Sequence, residues 1–115
     1  MTSSLLDNIE VIEAGYEFLL AFAAQGRETD RGMEVRETLR NMSDAAAAIA
    51  ESLAGSLKAG EFAEVIADDV RKSRAAIALV LEQGEISSEL VDNLNVSIHL
   101  RALLTDLFLL SETRL

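Results

Sequence analysis

The chain has 115 residues, with 20 acidic and 10 basic side chains and a formal net charge of −10. This surplus of negative charge repels nucleic-acid phosphates and anionic lipid headgroups, so the sequence disfavours direct binding to DNA, RNA or a membrane surface. The absence of cysteine excludes disulfides and thiolate chemistry, and the length fits one domain over residues 1–115.

The first predicted helix covers residues 4–25 and ends before Gly26. Its apolar residues recur alternately four and three positions apart, as expected for one stripe of a helix: Leu5, Ile9, Ile12, Tyr16, Leu19 and Ala23. A second apolar stripe lies beside it and contains Val11, Gly15, Phe18 and Phe22. The helix is therefore apolar over more than half of its circumference, and all of its charged residues are acidic.

Two further helices are predicted over residues 31–58 and 61–83, with Gly60 as the residue that ends the first of them. The earlier of these helices repeats the four-three spacing: Val35, Leu39, Met42, Ala46, Ile49 and Leu53. The later helix is predicted to bury an apolar side made of Phe62, Ile66, Val70, Ile77, Val80 and Leu81.

The fourth predicted helix covers residues 88–111, with Ser87 or Ser88 as its N-cap. Because every connection between the predicted helices is short, neighbouring helices are expected to run antiparallel. The predicted fold is therefore all-α, an up-down-up-down four-helix bundle.

The end of the fourth helix is apolar around nearly its whole circumference, which one bundle cannot easily bury. We therefore expect a homodimer or a complex with another chain. The predicted contact residues are Leu103, Leu107 and Leu110, with Val11, Phe18 and Phe22 as an alternative surface.

His99 is the only histidine, and a small four-helix domain with one histidine in mid-helix is similar to histidine phosphotransfer domains. Their motif, His-x-x-Lys-Gly, places a cation and a small residue one turn after the histidine. Here those positions hold Ala102 and Leu103, and Arg101 lies on a different face of the helix. The sequence therefore favours a structural histidine over a phosphorylated one.

No motif for a metal, a cofactor or nucleophilic catalysis is found. A ferritin-like metal site draws on two Glu-x-x-His motifs, but Val96 stands three residues before His99 and the chain has no second histidine. No glycine-rich nucleotide-binding loop is present. We expect no metal and no cofactor.

These features predict a non-enzymatic helical interaction protein, such as an adaptor, an accessory subunit or a chaperone-like binder. One alternative is an acidic mimic of nucleic acid that occupies the basic groove of a DNA-binding protein, and the other is phosphotransfer through His99. The first basic residue is Arg27 and no segment is apolar enough to cross a bilayer, so we expect a cytoplasmic protein.

Overall fold

The computed structural model describes residues 3–26, 33–56 and 59–113, and all regular structure in these ranges is helical. Five helices follow one another: α1 (Ser3–Ala24), α2 (Glu34–Leu53), α3 (Phe62–Leu81), α4 (Ser88–Asn95) and α5 (Ile98–Glu112). The molecule measures 45 × 21 × 18 Å. The prediction of an all-α fold is confirmed.

The second helix is shorter than predicted. It ends at Leu53, and Gly55 follows with a φ of 74°, the left-handed conformation in which glycine commonly terminates a helix. Gly60 also has a positive φ, but it lies just before α3. The predicted helical residues 31–32 and 57–58 lie outside the described residues.

The prediction of one uninterrupted helix over residues 88–111 is wrong, because the structure has two helices that are bent by 53° relative to each other. The break falls at Val96 and Ser97. The side chain of Ser97 accepts a hydrogen bond from the Leu100 amide at 3.4 Å, and it thereby caps a new helix. Asn, Val and Ser are weak helix formers, so the segment Asn95 to Ser97 favours a break.

An arginine joins the start of α2 to the end of α3. The guanidinium of Arg36 donates hydrogen bonds to the carbonyl oxygens of Leu81, Gln83 and Gly84 at 2.8–3.1 Å. These bonds satisfy backbone groups that a helix C-terminus leaves without intrahelical partners. Because the start of one helix meets the end of the other, α2 and α3 run antiparallel.

Two serine hydroxyls attach the last two helices to the rest of the fold. Ser88 in α4 donates to the carbonyl oxygen of Phe22 in α1 at 2.7 Å, and Ser73 in α3 donates to the carbonyl oxygen of His99 in α5 at 2.9 Å. The predicted N-cap Ser87 is found, with its side chain accepting from the Leu90 amide. The broken fourth segment is thus attached to both α1 and α3.

One hydrophobic core lies between the helices. Every residue of the stripe predicted for the second helix is buried in it. The largest fully buried side chains are Ile12, Leu19, Val35, Leu39, Met42, Ile49, Ile66, Ile77, Ile86, Leu100, Leu103 and Leu107.

Candidate functional site

A solvent-open groove lies between α1 and α2 and has a volume of about 280 Å³. Four of its six lining residues belong to α1 and two to α2: Val11, Ala14, Gly15, Phe18, Thr38 and Asn41. None of its four α1 residues has a polar side chain. Its polar groups are the Thr38 hydroxyl and the Asn41 amide.

The groove forms where the two helices approach closely. Gly15 is buried and has no side chain, and the Met42 side chain of α2 lies against its backbone. A Cβ atom added at Gly15 would lie 2.5 Å from Cγ and 2.6 Å from Sδ of Met42. The second stripe of α1 therefore packs against α2 at its centre and contributes to the groove on one side.

Gly15→Ala is expected to lower stability, although alanine is the better helix former by about 1 kcal/mol. Met42 is fully buried and cannot move away freely, so we expect a net loss of about 1–2 kcal/mol from overpacking. Thermal unfolding followed by circular dichroism measures this change. Gly84→Ala is the matched control, because its Cβ would meet nothing within 4 Å. Equal melting temperatures for the two variants would contradict the close contact.

The residues predicted as an alternative surface on the first helix differ in their exposure. Val11 is 40% exposed and Phe18 is half-buried, and both line the groove. Phe22 is buried behind them, with its ring centroid 6.5 Å from that of Phe18 and the two planes 19° apart. Phe22 therefore supports the groove wall from within the core.

The predicted contact residues of the fourth helix are not on the surface. Leu103, Leu107 and Leu110 are each buried in the core of this chain. The expectation that a single chain could not enclose them is wrong, because the bend before α5 turns their face onto the rest of the core, including α3. The exposed side of α5 instead carries Phe108 and Leu109.

Carboxylates border the groove on the α1 side. Asp7 lies one turn before Val11, and Glu10 and Glu17 lie four residues before and three residues after Ala14. All three carboxylates are on exposed residues. Between Ser3 and Ala24 the helix has no Lys or Arg to neutralise them.

The α2 side is also acidic. Glu34 lies one turn before Thr38, and Glu37 and Asp44 lie four residues before and three residues after Asn41. These three residues are exposed as well. The groove is therefore bordered on both sides by negative charge.

The two arginines of α2 lie away from the groove. Arg36 is bound to the end of α3, as described above, and Arg40 follows it by four residues and so occupies the same side of the helix. Neither cation lines the groove, but Arg40 is three residues after Glu37 and four before Asp44, so it lies beside two of the α2 carboxylates.

His99 is exposed, and the hydrogen bond made to it by Ser73 involves its backbone carbonyl, not its ring. Ala102 and Leu103 occupy the positions that a phosphotransfer motif fills with lysine and glycine. Among the described residues, no three His, Cys, Asp or Glu side chains converge in a way that could hold a metal ion.

A pair of aspartates lies between α3 and α5. Asp106 is 7% exposed and hydrogen-bonds Asp69, which requires a proton on one of the two carboxyl groups. Burial, together with the Asp69 carboxyl, raises the pKa of Asp106 to about 7. Within the described ranges, its buried Oδ2 has no hydrogen-bond partner. No sequence pattern identifies this pair, because both residues resemble ordinary helix-surface aspartates.

Comparison with known proteins found no family model, curated protein or solved structure that matches this chain. Over the part of the chain that is described, no single helix has the length and hydropathy of a membrane span. The bent pair of α4 and α5 has that length and hydropathy only when the two helices are counted together.

Proposed function

We propose that this chain is a non-enzymatic helical interaction protein that binds another protein through the groove between α1 and α2. The observation that carries the proposal is the groove itself, an apolar depression that leaves Val11 40% exposed beside a half-buried Phe18. Partly exposed apolar and aromatic side chains in a concave surface are typical of protein contacts.

The groove is too small and too open for most small molecules. Its volume of about 280 Å³ is just below the range of roughly 300–1,000 Å³ that is common for ligand pockets. A few apolar side chains of a partner fit this space better than a cofactor. A protein partner is therefore favoured over a small-molecule ligand.

The chemistry near the groove supports binding over catalysis. Thr38 and Asn41 are its polar lining residues, and neither has a general base among the other groove residues. The exposed His99 belongs to α5, whereas the groove lies between α1 and α2.

An acidic nucleic-acid mimic was the first alternative, and the carboxylates along both groove borders favour it. A mimic of this kind needs an acidic surface but no apolar depression. The apolar wall between the two acidic borders favours a partner that inserts hydrophobic side chains, so mimicry is the weaker candidate.

We propose that α4 and α5 together form the fourth segment, which is bent, of an up-down-up-down bundle. It is supported by the packing order, in which α1 contacts α2 and α4, α2 contacts α3, and α3 contacts α5. The homodimer stays a prediction, and the exposed apolar residues of the last segment that could support it are Ile98, Phe108 and Leu109.

Blocking the groove tests the proposal. Ala14 is exposed and lines the groove, so Ala14→Trp fills the groove without disturbing the core. Ala78→Trp is the matched control, because Ala78 is an exposed alanine near the C-terminal end of α3. Quantitative co-purification from the native host should recover a partner with wild type and with Ala78→Trp but not with Ala14→Trp. Equal recovery with both variants would contradict the proposal.

A further inference from the structure

The negative charge on both borders of the groove indicates what kind of partner it accepts. We infer that the groove binds an amphipathic, positively charged helix, with its apolar side in the groove and its Lys or Arg residues against the carboxylates of α1 and α2. This inference rests on the proposed function and adds the chemistry of the partner to it.

The shape of the groove fits one face of a helix. Val11, Ala14 and Phe18 lie along α1 at positions i, i+3 and i+7, a distance of about 10 Å. A partner helix presents apolar side chains with the same spacing, so its residues at i, i+3 or i+4, and i+7 reach the length of the groove. Ala14, the exposed and small central residue of these three, leaves room for the central one of these side chains.

Charge complementarity selects the sign of the partner. The borders hold exposed carboxylates on both sides, three on α1 and three on α2, as described above. Arg36 is bound to the end of α3, and Arg40 is one turn from Glu37 and from Asp44, so it offsets part of the charge on the α2 border. The α1 border has no Lys or Arg between Ser3 and Ala24 and keeps its full negative charge. A basic helix gains attraction on both flanks and is steered towards the groove, whereas an acidic one is repelled.

The same charges disfavour two other occupants. A second copy of this chain has a formal net charge of −10, so docking its acidic α1 here would place like charges together. Nucleic acid is repelled for the same reason. The structure therefore favours a separate, basic protein segment.

A designed peptide tests the inference without the natural partner. The probe is a fluorescent helical peptide of roughly 15 residues with leucine at i, i+3, i+4 and i+7 and lysine at its flanks, and its analogue carries glutamate in place of each lysine. We expect the lysine peptide to bind in an anisotropy titration, more tightly at low salt than at about 150 mM salt. Its backbone-amide NMR shift changes should centre on Val11, Phe18 and Thr38.

Matched variants separate a specific groove from a general effect of charge. The double variant Glu10→Gln/Glu17→Gln removes two border carboxylates and should weaken the lysine peptide about 5-fold. Glu64→Gln/Glu82→Gln removes two exposed carboxylates, one in the first turn of α3 and one directly after its last residue. Because α3 does not contact α1, this variant should change binding less than about 2-fold. Ala14→Trp should abolish binding.

Several results would overturn the inference: equally tight binding of the glutamate peptide, equal weakening by the two double variants, or no binding of the lysine peptide. None of these results contradicts the proposed function if Ala14→Trp still prevents co-purification of the natural partner. A natural partner that proves to be a second copy of this chain would also overturn the inference. Equal recovery of the natural partner with Ala14→Trp and with Ala78→Trp is the separate result that would contradict the proposed function.

Discussion

Ile49→Asp is expected to abolish cooperative folding. Ile49 is completely buried in the C-terminal half of α2, so the new carboxylate would have neither water nor a partner. We expect a loss of roughly 3–5 kcal/mol, a large part of the 5–15 kcal/mol that a domain of this size has. In a thermal melt followed by circular dichroism, the midpoint should fall by at least about 10 °C or the transition should disappear.

Leu79→Asp is the matched control for this substitution. Leu79 is also an aliphatic residue within a helix, but it is 62% exposed, so the carboxylate remains hydrated. Its melting temperature should stay within a few degrees of wild type, since surface substitutions change stability by about 0.5 kcal/mol or less. Equal melting temperatures for the Ile49→Asp and Leu79→Asp proteins would show that this side of α2 faces solvent.

Asp106 should make the stability of the fold depend on pH. Its pKa is about 7 in the folded chain and returns towards the ordinary 3.8 on unfolding. Between these values the folded state holds a proton that the unfolded state has lost, so the free energy of unfolding falls as pH rises and levels off above about pH 7. We expect the stability advantage of Asp106→Asn over wild type to be larger at pH 8 than at pH 5 by about 1–2 kcal/mol, allowing for partial solvation of the pair.

Urea unfolding at both pH values measures this difference. Asp68→Asn is the control, because Asp68 is exposed and its pKa is lowered by Arg71 and Lys72, at 2.7 and 3.0 Å. Asp68 is ionised at both pH values, so its replacement should leave the change in the free energy of unfolding between pH 5 and pH 8 as in wild type. A wild-type pH dependence that survives in Asp106→Asn would show that the aspartate pair does not cause it.

The sequence predicted the first three helices well because their apolar spacing is regular. The stripe from Val35 to Leu53 is buried at every position, and α1 and α3 begin and end within two residues of their expected bounds. Both ends of α2 differ from the predicted 31–58: the helix begins at Glu34, after Met33 in the left-handed conformation, and Gly55 stops it before Gly60. Periodicity is a reliable guide to which side of a helix is buried and a weaker guide to where the helix ends.

The fourth segment could not be predicted in the same way. Its apolar residues continue on both sides of Ser97, so hydrophobic spacing alone does not reveal the bend, although a serine after Asn95 and Val96 is a recognisable capping signal. Missing the bend led to the wrong placement of Leu103 and Leu107, which the structure buries within this chain. Tertiary packing decided their environment, not the composition of the helix.

The groove was only partly visible in the sequence. Val11, Gly15 and Phe18 belong to the second stripe predicted on the first helix. The α2 side of the groove, formed by Thr38 and Asn41, could not be identified from the sequence, because it depends on how α2 aligns with α1. Long-range contacts such as Arg36 with the end of α3 depend on the same alignment.

Site-specific photo-cross-linking tests most directly whether the groove is where this protein meets its partner. A photoreactive amino acid at Val11, which lines the groove, is compared with one at Leu79, an exposed apolar position on α3, in cells of the native host. We predict one defined heteromeric adduct from position 11 that is absent from position 79 and from a chain that also carries Ala14→Trp. The same adducts from both positions, or adducts from position 79 alone, would contradict the assignment of the groove as the binding site.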